Sequence, residues 1–229
     1  MAKTPLPHAA QSRVLVDWVT ESLRTAILAG HFEPAERLDL DLVASEYQVS
    51  RTPLREAVRR LETEGFIVSR PHHGVFVAFL TPDDIAEIYN VRALLEAEIA
   101  RQVTVLLSPR ALAGLEQLLL EDEASCAAGN SLAHVEADLA FHRTIASFCP
   151  NRLLKETVES LNNRAIAVRR YSLVRPGRHR EITESIQEHR DILCALLERA
   201  PDRAAGSMAC HLQRSSERLQ VLVTAQLGG

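Results

Sequence analysis

From Thr81 onward, every interruption of the hydrophobic pattern is of a kind that starts a helix. Thr81-Pro82, Ser108-Pro109, Pro150-Asn151, Pro176-Gly177 and Pro201-Asp202 each precede a long amphipathic run, and Gly129-Asn130-Ser131 breaks another. Proline fits the first helical turn, where its missing N–H has no partner to lose, and small polar residues ahead of it cap open amides. The spacing predicts six helices, over about 82–107, 109–128, 131–148, 151–172, 178–199 and 202–226. Connections this short make neighbours antiparallel, so residues 80–229 are expected to form an all-α six-helix antiparallel bundle.

The first third follows a different pattern. Residues 1–11 hold two prolines and little apolar periodicity, which reads as a flexible tail. Val14, Trp18, Leu23 and Ile27 fit one helix, with Gly30 placed to stop it, and Leu40 to Tyr47 fits a second. A third runs from a cap at Ser50 or Thr52 to about Glu64, with Pro53 in its first turn and Gly65 at its end. Behind it, Phe66-Ile67-Val68 and Val75-Phe76-Val77 are β-prone runs joined by Ser69-Arg70-Pro71-His72-His73-Gly74, which is turn chemistry. Helix, helix, helix and hairpin over residues 12–79 make a winged helix-turn-helix, and the fold class is mostly α.

A chain of 229 residues with 46% hydrophobic residues can fill two cores. No apolar run approaches the ~18 residues of a membrane span, and MAKTPLPHAAQSR is not a secretory leader, so a soluble, cytoplasmic protein without membrane contact is expected. Cys126, Cys149, Cys194 and Cys210 lie inside helical patterns without C-x-x-C spacing and read as buried free thiols. A net charge of −4 excludes a general nucleic-acid coat, so any DNA contact must come from a local patch.

Such a patch exists. In the third helix Leu54, Ala57, Val58 and Leu61 recur at core spacing, while Arg51, Arg55 and Arg59 stand at i, i+4 and i+8 on an adjacent face. Alone, three arginines at this spacing describe an ordinary solvated face. At the start of the last helix of a helix-turn-helix they fit the major groove, where arginine binds guanine O6 and N7 with both prongs.

A second constellation lies in the bundle. Leu132, Val135, Leu139, Ile145 and Phe148 mark an inward face beside which Asp138 and His142 fall. His189 sits in the stripe of Ile182, Ile186, Leu193 and Leu196, and His211 in that of Met208, Leu212, Leu219 and Leu222. Each histidine alone reads as a hydrogen-bonded core imidazole. As a set, three imidazoles and a carboxylate aimed at one interior fit a divalent metal ion, which also answers the cost of burying an unpaired Asp138. Three nitrogens and one oxygen suit Zn²⁺ first, with Ni²⁺, Mn²⁺ or Fe²⁺ possible on the same ligands. Arg92 interrupts the apolar face of Ile85, Ile88, Tyr89, Leu95 and Ile99, and needs either Glu96 one turn on or a bound carboxylate. Asn163 and Arg164 are weaker candidates for the same pocket.

Ile27-Leu28-Ala29-Gly30, Pro34, Leu38, the run Val49-Ser50-Arg51-Thr52-Pro53-Leu54-Arg55-Glu56-Ala57 and Leu61-Glu62-x-Glu64-Gly65-Phe66 resemble the N-terminal domain of GntR-type regulators. The resemblance implies that Arg51, Thr52 and Arg55 touch bases or phosphates, that Ser50 contacts the backbone, and that His73 and Gly74 place the wing tip in the minor groove. Ala35 and Gln48 stand where that pattern has glycine, and Leu40 where it has an acid, so a locally different turn is expected. Asp138-x-x-Phe141-His142, Glu188-His189-x-x-Ile192-Leu193 and His211-Leu212 resemble the FCD effector domain, whose metal ligands carry over to Asp138, His142, His189 and His211. Arg92 then corresponds to a residue that meets the effector's carboxylate. Six helices instead of seven place the resemblance with the VanR-like branch.

These readings converge on a ligand-responsive DNA-binding regulator, a repressor and homodimer that reads an inverted repeat in operator DNA and senses a small organic acid. Two alternatives stay open, a DNA-binding regulator with a purely structural metal and a helical metalloenzyme with an open coordination position. The second offers no reason for the arginines and the wing.

Overall fold

The computed structural model describes residues 8–29, 31–33, 35–173 and 178–227. Gly30, Pro34 and the break at Pro176-Gly177 lie outside the described residues, as do 1–7. The chain divides into two compact units between Phe79 and Leu80.

In the first unit α1 (His8–Leu28) begins inside the stretch expected to be a tail. It is followed by β1 (Arg37–Leu38), α2 (Leu40–Glu46), α3 (Arg51–Thr63), β2 (Ile67–Arg70) and β3 (Gly74–Val77). The wing strands are longer than their apolar runs, and the turn shrinks accordingly. β3 lies between β2 and β1, with Arg37 opposite Phe76 and Ile67 opposite Val77. The two-residue strand β1 was not expected.

The core joins Val19, Leu23 and Ile27 of α1 to Leu54, Ala57, Val58 and Leu61 of α3 and to Phe66 and Ile67 of the wing. Burying each large side chain contributes about 1.5–3 kcal/mol. The face of α1 differs from the expected one. Val14 and Trp18 are 68% and 49% exposed, while Val16, Val19 and Thr20 are buried. Trp18 lies edge-on to Tyr47 of the α2 terminus. Arg24 donates through Nε and Nη2 to both oxygens of Glu64, at 2.9 and 2.8 Å, fixing α1 against the end of α3.

At that end Gly65, with φ of 80°, lets the Phe66 amide return to the Leu61 carbonyl at 2.8 Å. The α2 terminus has the same closure without the glycine. Gln48 takes φ of 52°, and the Val49 amide reaches the Ala44 carbonyl at 3.0 Å. Ala35, the other position where glycine is usual, also has a positive φ, of 62°. Both positions where the resemblance has glycine therefore adopt the left-handed backbone that favours glycine, and their side chains bear the strain. Gln48→Gly should stabilise the first unit by about 0.5–1 kcal/mol, because a side chain in this conformation is disfavoured and glycine is not. A denaturation midpoint that fails to rise would show the strain to be absent.

The second unit is the expected bundle, α4 (Pro82–Val103), α5 (Pro109–Ala127), α6 (Ser131–Ser147), α7 (Arg152–Leu173), α8 (His179–Leu197) and α9 (Pro201–Leu227). Thr81 and Asp84 form a reciprocal cap on α4, the Thr81 amide donating to Asp84 at 2.9 Å and the Asp84 amide to Thr81 Oγ1 at 3.1 Å. Ser108 and Asn130 cap α5 and α6 through the amides of Ala111 and Ala133. α4 packs along α9, α8 lies against α9, and α6 and α7 close the remaining side. The inward stripes of α8 and α9 are buried as read, but Leu132 and Phe148 at the two ends of α6 are 39% and 37% exposed. All four cysteines are free thiols, and only Cys126 and Cys149 are buried, correcting the reading for Cys194 and Cys210. Among the described residues no helix is long and apolar enough to cross a membrane.

Candidate functional site

On α3 the buried residues Pro53, Leu54, Ala57, Val58 and Leu61 turn the opposite face outward, which leaves Arg51, Thr52, Arg55 and Arg59 exposed. Ser50 occupies the N-cap position, but its side chain makes no capping bond, so its hydroxyl is left for another partner. Arg60 is drawn into an ion pair with Asp17, and Arg51 into one with Asp41 at 2.9 Å. His73 is exposed in the wing turn, and Gly74 beside it has φ of 112°, which favours glycine. The hollow between α3 and this turn is also lined by Arg37, which the sequence reading missed.

In the bundle, α6 supplies Asp138 and His142, α8 supplies His189 and α9 supplies His211. One ligand atom from each lies within 4.8 Å of the others, and all four residues are buried. His211 Nε2 stands 3.2 Å from Nε2 of both His142 and His189, and Asp138 Oδ1 lies 3.5 Å from His189 Nε2. Donors about 2.0–2.2 Å from a tetrahedral ion would be roughly 3.3 Å apart, so the spacing fits.

The hydrogen bonds behind the rings strengthen the fit. His142 Nδ1 donates to Glu96 Oε2 at 2.6 Å, and His211 Nδ1 to Glu188 Oε2 at 2.9 Å. With the proton on Nδ1, each Nε2 presents a lone pair, and two lone pairs facing each other at 3.2 Å repel unless a cation lies between them. Burial disfavours charge on Glu96 and Glu188, but Arg92 and His142 around the first, and Arg218 and His211 around the second, outweigh it and hold both down at about 2. Burial holds His211 down to about 4 and His189 well below the ordinary imidazole value, which keeps both rings neutral with one nitrogen each free to coordinate. Asp138 is buried, yet Arg169, followed by the imidazoles, keeps it well below the usual carboxylate range. Asp138 forms an ion pair with Arg169 of α7, though neither of its oxygens accepts a well-aligned hydrogen bond.

Metal-free protein should accordingly lose stability as pH falls from about 6.5 towards 4. Unfolded imidazoles take protons near pH 6.5, whereas folded His211 resists to about 4 and burial holds His189 well below the ordinary value, so protons favour the unfolded chain in that window. The contribution is complete above the unfolded value and fades by about 1.4 kcal/mol per pH unit per histidine below it. Urea midpoints of chelator-treated protein that stay flat between about pH 7 and 5 would rule out neutral buried imidazoles.

Arg92 is 0% exposed. Its Nε donates to Glu96 Oε1 at 2.8 Å, while Nη1 and Nη2 have no hydrogen-bond partner among the described residues. The guanidinium carbon lies 4.7 Å from the centroid of the Tyr89 ring. Both expected partners of Arg92 are thus compatible, with Glu96 on one edge and an open fork on the other. Asn163 does not share this interior. It is half-buried, and its Oδ1 accepts from Arg143 Nη2 at 3.1 Å in an exposed network with Glu159. The inward stripe of α7 runs through Val158, Asn162, Ala165, Ile166 and Arg169, and Asn162 is the buried amide, with Oδ1 unpartnered. Arg164 is exposed. The sequence reading missed Arg169 and the roles of Glu96 and Glu188, although for the two glutamates a charged residue at a stripe position was the available signal.

Comparison with known proteins agrees with both units. Residues 15–77 match the family described as bacterial regulatory proteins, gntR family, and residues 87–214 match the FCD domain. The Nta operon transcriptional regulator of Aminobacter aminovorans is 30% identical over 195 residues, which cover 84% of this chain and 89% of that protein. The HTH-type transcriptional repressor GlaR of Escherichia coli (strain K12) is 30% identical over 204 residues, 83% of this chain and 89% of the repressor. In fold the chain is similar to E. coli McbR/YncC, with a TM-score of 0.68 at 24% identity, covering 90% of this chain and 96% of that one. The first two are named as transcriptional regulators, not as enzymes. The chain belongs to the GntR family of bacterial transcriptional regulators, a DNA-binding winged helix-turn-helix joined to an FCD domain.

Proposed function

We propose that this regulator senses a small organic acid at a divalent metal site in its FCD domain. The observation that carries the reading is the open edge of Arg92, two guanidinium nitrogens without partners among the described residues in a fully buried side chain. Leaving such donors unmet costs several kcal/mol in the interior, and a carboxylate meets both at once.

Asp138, His142, His189 and His211 would hold the ion, Zn²⁺ first, with Ni²⁺, Mn²⁺ or Fe²⁺ as alternatives. A bound divalent ion supplies positive charge and an open position for an acid oxygen. Glu96 serves both ends of the site, since one oxygen accepts from Arg92 and the other from His142. Movement of the Arg92 fork is therefore felt at a metal ligand. The guanidinium charges around the site are already matched, buried Arg92 by Glu96, buried Arg169 by Asp138 and half-buried Arg218 by Glu188. A divalent ion adds unmatched positive charge, which an organic acid offsets.

On the DNA side, Ser50, Arg51, Thr52, Arg55, His73 and Gly74 form the operator-reading set. One recognition helix covers only a few base pairs, so the reading includes a homodimer on an inverted repeat in the cytoplasm, with the six-helix form of the VanR-like branch. Repression, the role named for the similar GlaR, is the proposed direction. The acid must favour one DNA-binding arrangement over another, or it shifts nothing. Operator selected from a randomised duplex should be released when an acid that binds the metal-loaded protein is added. Acid binding without any change in operator affinity would leave the metal a structural role only.

We expect light scattering to give the mass of a dimer on DNA. A monomer both free and on DNA would contradict the inverted-repeat reading.

A further inference from the structure

The face that holds the recognition arginines also holds a carboxylate whose only ion-pair partner among the described residues is one of them. A hollow of about 600 Å³ between α3, the start of α2 and the wing is lined by Arg37, Asp39, Asp41, Arg51, Arg55 and Gly74, among others. Asp39 is committed to structure, since its Oδ1 accepts from the amides of Asp41 and Leu42 at 3.0 and 3.2 Å and caps α2. Asp41 has no such duty. Its carboxylate stands 2.9 Å from Arg51 Nη2, and both side chains are about 70% exposed, at 68% and 71%.

An exposed ion pair adds little to stability, but DNA is a polyanion, and a carboxylate on the contact face acts against it. The unit can ill spare the charge. Residues 12–79 carry ten Asp and Glu against eight Arg, so nonspecific attraction is already weak. We infer that Asp41 is a specificity-determining residue of operator recognition, a counter-ion to Arg51 that a guanine–cytosine pair replaces and phosphates alone do not. Guanine O6 and N7 accept from the freed guanidinium in a two-pronged contact that makes up for the lost pair. On random sequence Arg51 must leave Asp41 for phosphates that Asp41 repels. The pair thereby raises the threshold for nonspecific binding more than that for the operator.

The test measures four proteins, wild type, Asp41→Asn, Arg51→Ala and the double variant, against a fixed random duplex and the operator that wild type selects. Asp41→Asn keeps the Asp39 cap and changes an exposed side chain, so folding is preserved. The expected result is a roughly three- to tenfold gain on the random duplex with a smaller gain or a loss on the operator, so that the ratio between them falls. In the Arg51→Ala background the same substitution should leave that ratio unchanged. An equal gain on both duplexes would make Asp41 a bulk charge and overturn the inference. So would no gain on random DNA, or a fall in the ratio that persists without Arg51.

Discussion

Arg51→Ala and Arg55→Ala are each expected to weaken operator binding by about 1–3 kcal/mol, roughly 5- to 150-fold, through loss of a two-pronged contact to a base or phosphate. Both side chains stand on the exposed face of α3 and line the same hollow, so the double variant need not equal the sum of the singles. The two losses should differ in kind. Removing Arg51 also leaves Asp41 uncovered on the contact face, so part of its loss should reappear on random DNA. Metal content should stay at the wild-type level in both variants. Gel-shift titration on the selected operator decides the matter, and wild-type affinity in both variants would reduce the arginines to a solvated face.

The helices of both units were legible because caps and breaks are local chemistry. Thr81-Pro82 with Asp84, Ser108-Pro109 and Asn130 each started a helix within a residue or so of the expected place. β1 was not legible, since Arg37 and Leu38 are two residues with no alternation to read, and only pairing with Phe76 and Val75 makes them a strand. The first helix was placed but its face was misjudged. Trp18 looked like a core residue by type, yet it covers Tyr47 from the outside while Val16 and Val19 point inward.

For the site, the inward stripes of α6, α8 and α9 carried Asp138, His142, His189 and His211 directly, because each lies at the period of its apolar neighbours. What a stripe cannot give is the partner across the bundle. Glu96 was visible as a neighbour of Arg92 one turn away, but its second bond joins it to a residue 46 positions on, a fact of packing alone. Asn163 lies one residue, about 100° around the helix, from the inward-facing Asn162. Arg169 was hidden by its own charge, since a buried arginine becomes expected only after Asp138 is seen opposite it.

Metal and acid should be separable by substitution. Purified protein is expected to carry about one divalent ion per chain, and His142→Ala with His211→Ala should abolish it, because two of four ligands are lost and the remaining pair cannot close the site. Arg92 needs more care than an alanine. Truncation would leave Glu96 buried beside one partner fewer, and breaking a buried pair in this way costs about 3–5 kcal/mol. Arg92→Gln keeps a donor near Glu96 while removing the open fork. That variant should retain the ion, keep the Glu96 bond that orients His142, and lose acid affinity by about ten- to a hundredfold, the worth of one charge-assisted bond. By linkage, stripping the metal from wild type should weaken acid binding, and acid should tighten metal binding by the same factor. Elemental analysis and calorimetry with a panel of carboxylic acids on wild type, the double-ligand variant and Arg92→Gln separate the outcomes. Equal acid binding with and without metal would remove the ion from sensing and leave Arg92 as the receptor. Loss of metal in Arg92→Gln would instead mean that Glu96 holds His142 only while Arg92 holds Glu96, which makes the arginine a positioning residue for the metal centre.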